Sequence, residues 1–172
     1  MKGDFNLFGK ADELYQSISG LADGKVANEG YYAEKVRYTE NFKKAVLLVI
    51  HAASKKFDKK MVEEQEVLNN LTNMIIAAYA GESLALRVQK MESLKGAGSI
   101  SIYKDILDVY LYDAAEKVRK EGLDAVYSIA ADGEEGSLVK AIETLSNVSG
   151  LNVKAARRRI ADKLIEDNAY KF

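Results

Sequence analysis

The run AVLLVIHAA, residues 45–53, lies inside a stretch from 32 to 57 that holds neither glycine nor proline. Val36, Phe42, Val46, Val49, Ile50 and Ala53 recur in it at helical spacing. Around residues 45–53 the apolar character extends nearly all round the helix. That pattern predicts a long helix buried at the centre of a bundle rather than one lying on its surface. The charged run Lys55-Lys56-Phe57-Asp58-Lys59-Lys60 ends it.

Working outward from this element, a second long helix is predicted from 61 to 94. Val67, Leu68, Leu71, Met74, Ile75, Ala78, Tyr79, Ala85 and Leu86 form its expected inward stripe. Glu63, Glu64 and Glu66 stand at its start and Arg87, Lys90 and Lys95 at its end, which matches the helix dipole. Gly96 and Gly98 supply the stop signal. Small residues at 77–81 (Ala-Ala-Tyr-Ala-Gly) invite a neighbouring helix to approach closely. A third helix is expected from 102 to about 120, with Ser101 as N-cap and Ile106, Val109, Tyr110, Ala114 and Val118 on one face. Gly122 is read as an interruption, followed by a short helix over 123–131 and a turn at 132–136. Two closing helices follow, at 137–147 and 152–168, the last capped by Asn152.

Residues 1–31 hold five of the 12 glycines and read as a tether. A short helix over 12–18 is expected within it, with Leu14, Tyr15 and Ile18 facing inward. The expected architecture is therefore all-α: an antiparallel helical bundle over 32–172, with three long helices plus shorter C-terminal helices. The complete lack of proline suits a chain of long helices, because proline breaks helix interiors.

Composition narrows function mainly by exclusion. The 172 residues are 48% hydrophobic and 30% charged, as in an ordinary globule with a real core. A formal net charge of -1 argues against non-specific nucleic-acid binding, which needs a basic face. With no cysteine, disulfides, thiolate metal sites and Cys nucleophiles are excluded. With 1 histidine, any site needing two within the chain is excluded as well. No apolar run approaches the ~20 residues that span a bilayer, and the opening MKGDFNLFGKADEL carries no long apolar signal region. The expected location is cytoplasmic.

No catalytic, cofactor-binding or metal-ligating residue is assigned. His51 lies in the most apolar helix without placed partners and reads as a partly buried, locally satisfied side chain. Glu63, Glu64 and Glu66 lack the Glu-x-x-His pairing of di-iron bundles and read as a charged helix start. Glu82 and Arg87 suit an ion pair, either between helices or on the surface. Arg157, Arg158 and Arg159 spread over most of a helical turn and read as a solvated surface. Gly9-Lys10 and Gly24-Lys25 lack the spacing of a phosphate-binding loop, and no serine sits in a nucleophile elbow.

Two stretches carry more than helix statistics, and two others fit the same likeness. EEQEVLNNLTNMIIAAYAGESLALRVQK (63–90) and ARRRIADKLIEDNAYKF (156–172) resemble the extra C-terminal helical domain of bacterial acyl-CoA dehydrogenases of the long- or very-long-chain type. KGDFNLFGKADEL resembles the tether that joins this domain to the catalytic body, and NFKKAVLLVIHAASKKFDKKM resembles its first helix. The likeness runs in order through most of the chain and is looser over 96–131.

The resemblance implies a parent flavoprotein that converts a fatty acyl-CoA to the trans-2-enoyl-CoA. In that chemistry a carboxylate base takes the α-proton while FAD N5 accepts the β-hydride. The catalytic Glu, the flavin contacts and a β-domain belong to the body, and none of them maps onto this sequence. The chain alone is thus expected to be inactive and to hold no cofactor. Its implied role is structural and oligomer-organising, with the catalytic body as partner and a homodimer as assembly. Membrane attachment is at most weak, since no basic amphipathic helix with aromatic anchors is present. Phe5, Leu7, Phe8, Tyr31 and Tyr32 are candidates for an apolar patch that docks on the body. The alternative is a stand-alone helical interaction or acyl-chain-binding module.

Overall fold

The computed structural model describes residues 30–129 and 135–169, together with Gly9, Glu13, Leu14 and Ser17. Five α-helices make up the described chain: α1 (Tyr31–Phe57), α2 (Gln65–Lys95), α3 (Ser101–Ile129), α4 (Glu135–Leu145) and α5 (Val153–Asp167). Short 3₁₀ turns over Asp58–Glu63 and Ala97–Ser99 join the first three.

The three long helices run alternately up and down. Lys43 of α1 meets Glu82 of α2, and Asn73 of α2 meets Glu121 of α3. Glu92, late in α2, meets Lys104, early in α3, while Tyr31 at the start of α1 meets Asp108, also early in α3, so α2 runs against both α1 and α3. α4 packs on both α1 and α3, and α5 packs on α3. The expected all-α antiparallel bundle, three long helices plus shorter C-terminal ones, is what forms.

The core gathers around α1, as its apolar run predicts. Phe42, Ala45, Leu48, Val49 and Ala53 are wholly buried, and they meet Val67, Leu71, Met74, Ala77, Ala78 and Val88 of α2 in one hydrophobic cluster. Val36, expected inside, is exposed, and Tyr38 takes the interior position instead. The small-residue segment of α2 works as expected. A Cβ added at Gly81 would stand 3.0 Å from Leu111 Cδ2 and 3.5 Å from Thr39 Cγ2, so both α3 and α1 close on that point.

The helix boundaries depart from expectation in instructive ways. α2 begins at Gln65 rather than 61, because the chain first turns through Asp58 with φ +47° and a 3₁₀ turn of which only Met61 leans on the core. With ψ at -122° this is a tight-turn conformation rather than a left-handed helical one, and it stops α1. Gly96, with φ +81°, ends α2 at the expected place. Ser101 is not the cap of α3. The Ile100 carbonyl accepts the Lys104 amide at 3.0 Å, and Ile100 is itself fully buried.

Gly122 does not interrupt α3, which continues unbroken to Ile129. It marks instead the place where α4 presses against the helix. Glu135 and Gly136, expected in a turn, belong to α4. Residues 130–134 lie outside the described part, as do Phe5, Leu7, Phe8, Tyr15 and Ile18. Of the expected short N-terminal helix, Glu13 and Leu14 are helical and Leu14 packs on the core.

α5 is capped as read: Asn152 Oδ1 accepts the Ala155 amide at 3.1 Å. Ala156 is its one fully buried residue among those described. The arginine triplet is not simply solvated. Arg157 forks onto Asp113 with both contacts at 2.8 Å, and Arg159 forks onto Asp105, fastening α5 to α3. Arg158 is exposed.

Candidate docking surface and polar cluster

Two surfaces of the bundle carry more than packing. The first is polar and is built on one face of the first turns of α1. Tyr31, Lys35 and Tyr38 recur at i, i+4 and i+7, so their side chains line up along the helix. Lys35 is buried, and its ammonium bonds Glu34 at 2.9 Å and Asp108 of α3 at 3.0 Å. It also stands 4.8 Å from the Tyr31 ring centre and 5.4 Å from that of Tyr38, a cation–π arrangement. The Tyr31 hydroxyl donates to Asp108 at 2.9 Å. The Tyr38 hydroxyl donates to Glu34 at 2.7 Å and accepts the Ser149 amide at 2.9 Å. Ser149 Oγ donates to the same carboxylate at 2.9 Å. The cluster therefore ties α1 to α3 and to the segment between α4 and α5. It borders a depression of about 240 Å³ walled also by Tyr112, Val148 and Leu151.

The electrostatics follow from this closure. Partial burial works against ionising Glu34, yet the hydrogen bonds from Tyr38, Lys35 and Ser149 outweigh it and hold the carboxyl at about 2. Burial also disfavours the Lys35 charge, but Glu34 and Asp108 raise its pKa above the ordinary lysine value. Burial and the adjacent Asp108 push the Tyr31 hydroxyl up. Each polar group is committed to another, so the arrangement leaves no base or acid poised for substrate. It is a structural latch.

Its pH behaviour follows from the direction of the Glu34 shift. A carboxyl depressed on folding adds stability that is complete above its unfolded value near 4.5 and fades as pH falls through about 2. In urea unfolding across that range, Glu34→Gln is expected to lose about 1–2 kcal/mol at neutral pH and to show a flatter acid limb than the parent chain. Parallel acid limbs in the two proteins would refute the assignment.

Beside the latch, Lys104 bonds Glu92 at 2.9 Å and stands 4.9 Å from the Tyr31 ring centre and 5.3 Å from that of Tyr32. The two tyrosine rings meet edge to face at 5.0 Å. The Tyr32 hydroxyl is buried without a formed hydrogen bond, and burial together with the nearby Glu92 pushes its pKa up. Tyr31 and Tyr32 are thus spent within the bundle, against the core and in these contacts. They do not form the docking patch that the sequence suggested.

The apolar surface lies elsewhere, between α1 and α2. Ile75, Tyr79 and Leu86, expected in the core stripe of α2, are instead exposed, Tyr79 to 72%. Ile76 is exposed beside them. Val46, Leu47, Ile75, Ala78 and Tyr79 line a groove of about 320 Å³. At its rim Lys43 and Glu82 pair at 2.7 Å across the two helices. Glu82 thus makes an interhelical contact, as one of its two sequence readings held, but with Lys43 and not with the exposed Arg87. Glu63 and Glu66 are exposed at the approach to α2, and His51 is half-buried and engaged within the fold. Among the described residues, no three acidic or histidine side chains gather to hold a metal ion. No helix of the described part is long and apolar enough to cross a membrane.

The described bundle thus carries a satisfied polar cluster at one end and an apolar groove between α1 and α2. Residues 41–142, more than half of the chain, match the family described as "Acyl-CoA dehydrogenase, C-terminal domain", and the chain belongs to that family. It is similar to a probable acyl-CoA dehydrogenase of Bacillus subtilis (strain 168), with 23% identity over 170 residues, 99% of this chain and 28% of that protein. Its fold matches a crystal structure of an acyl-CoA dehydrogenase complexed with FAD from Bacillus anthracis. There the TM-score is 0.89 and the identity 26%, over 100% of this chain and 29% of that one. The chain therefore spans less than a third of the length of both relatives.

Proposed function

We propose that the chain serves as the non-catalytic, structural and oligomer-organising domain of an FAD-dependent acyl-CoA dehydrogenase of the long- or very-long-chain class. Its parent enzyme converts a fatty acyl-CoA to the trans-2-enoyl-CoA. The observation that carries this reading is the match of the whole chain to under a third of a dehydrogenase that holds FAD. The side chains here do not fit the flavin itself. The groove is apolar, its one lysine is paired with Glu82, and the polar latch is internally satisfied, so nothing in either offers donors to a pyrophosphate. That supports placing FAD and the reaction on the body, with residues 1–31 as the tether to it.

The test is an immunoblot of a source-cell lysate under denaturing conditions, with antibody to this bundle, paired with native immunoprecipitation. The expected result is a band well above 19.0 kDa whose precipitate shows flavin fluorescence and acyl-CoA-dependent dye reduction. A 19.0 kDa band, with no flavoprotein in the precipitate, would overturn the reading. The groove favours the alternative of an acyl-chain-binding module, because its wall is almost wholly apolar. Saturable binding of a fatty acyl-CoA by the purified chain, abolished by Tyr79→Glu, would be its signature.

A further inference from the structure

The exposed large apolar residues are distributed unevenly. Val62, Leu94, Tyr127 and Ile165 stand singly, in a turn, at the end of α2, on α3 and on α5. Ile75, Tyr79 and Leu86 are different. They recur at i, i+4 and i+11, so they form one stripe along the outer side of α2, with Ile76 at its flank. The stripe borders the groove whose other wall is Val46 and Leu47 of α1. Scattered apolar residues on a surface are ordinary, but a contiguous strip beside an apolar groove marks a contact site.

The faces that α3 and α5 turn to each other are spoken for by the Arg157–Asp113 and Arg159–Asp105 forks. The latch end is closed by Lys35, Glu34 and Asp108. Charge also selects the occupant. Lys43 and Glu82 neutralise each other at the rim, so a partner needs no matching ion there and gains most by presenting apolar side chains. The relatives supply a candidate for what presents them. In the FAD-bound dehydrogenase more than two thirds of the chain lies outside the region matched here, which leaves a large body to be contacted.

We infer that the α1–α2 groove and the Ile75–Tyr79–Leu86 stripe form the docking surface for the flavin-bearing body of the dehydrogenase. The inference rests on the proposed function and adds the face and the chemistry of the contact. Apolar side chains of the body would sit in the groove, with the Lys43–Glu82 pair left at the edge of the contact.

Photo-cross-linking in source cells tests this directly, whether the body lies on the same polypeptide or another. The natural, full-length protein is made with p-benzoylphenylalanine at Tyr79, and separately at the exposed Arg158 as reference. After irradiation the cross-linked peptides are sequenced. The expected result is a cross-link from position 79 to a peptide of the flavoprotein body, its loss when Leu86→Glu is added, and none from position 158. Cross-links from position 79 to α2 of a second copy would overturn the inference in favour of self-association. Cross-links to an unrelated protein, or none at all, would overturn it too. If position 158 and not 79 reaches the flavoprotein body, the face is wrong while the dehydrogenase reading stands. If neither position reaches one and the immunoprecipitate carries no flavin, that reading falls as well.

Discussion

Replacing Lys35 with alanine is expected to lower the unfolding free energy by about 2–4 kcal/mol, the cost of stranding partly buried carboxylates without their counter-ion. In a chain of 172 residues this corresponds to a fall of roughly 5–15 °C in Tm. The size follows from the surroundings. The Lys35 side chain is 10% exposed, and its partners Glu34 and Asp108 are 25% and 21% exposed. Water therefore replaces the ammonium only in part. The loss has two components that a second variant separates. Lys35→Met keeps most of the aliphatic stem against Tyr31 and Tyr38 but removes the charge, so it should recover only the packing share. The pH dependence fixes the electrostatic share. Glu34, held at about 2, keeps its charge at neutral pH, so the gap between parent and variant should be full there and should narrow as acid protonates that carboxylate. It should persist well into the alkaline range, because the lysine pKa is raised on folding and its contribution disappears only as pH rises through that raised value. A Lys35→Met protein as stable as the parent chain at neutral pH would show that the latch adds nothing.

The latch also illustrates what periodicity can and cannot reveal. The existence, order and polarity of the helices follow from apolar spacing, capping and glycine stops, and α1, α2 and α5 lie within a few residues of expectation. The direction a stripe faces does not follow. Ile75, Tyr79 and Leu86 have the same spacing as core residues, and a residue destined for a docking surface looks like one destined for the interior. Polar partners are illegible for a related reason. Lys35 and Asp108 are 73 positions apart, and nothing local to either predicts the other. The spacing of Tyr31, Lys35 and Tyr38 at i, i+4 and i+7 puts them on one face but does not say that the ammonium lies between the rings. The same holds for Arg157 and Arg159, read as solvated until Asp113 and Asp105 of α3 stand opposite them.

Gly122 makes the second large effect, and it runs against the usual helix rule. On an open helix surface, glycine to alanine gains about 1 kcal/mol in helix propensity. Here an added Cβ would lie 2.9 Å from Ile142 Cγ2, 3.3 Å from its Cδ1 and 3.2 Å from Met74 Cε. The methionine tip can swing aside. The isoleucine branch cannot, because its χ1 is held in one rotamer within a helix and its side chain is wholly buried. Relief therefore requires α4 to move off α3. Gly122→Ala is expected to give back the propensity gain and end near neutral or slightly destabilised. Gly122→Val adds two methyls to the same contact and should cost about 1–3 kcal/mol, the usual range for overpacking a close-packed core. Chemical unfolding of both variants checks the pair, and Ile142→Ala provides the decisive comparison. Alone it should destabilise by about 2–5 kcal/mol through the cavity it leaves. Combined with Gly122→Val it should cost less than the two separate losses added together, because the valine fills space that the isoleucine vacated. Strict additivity would mean that α4 does not rest on Gly122, and the close approach would then have no energetic consequence.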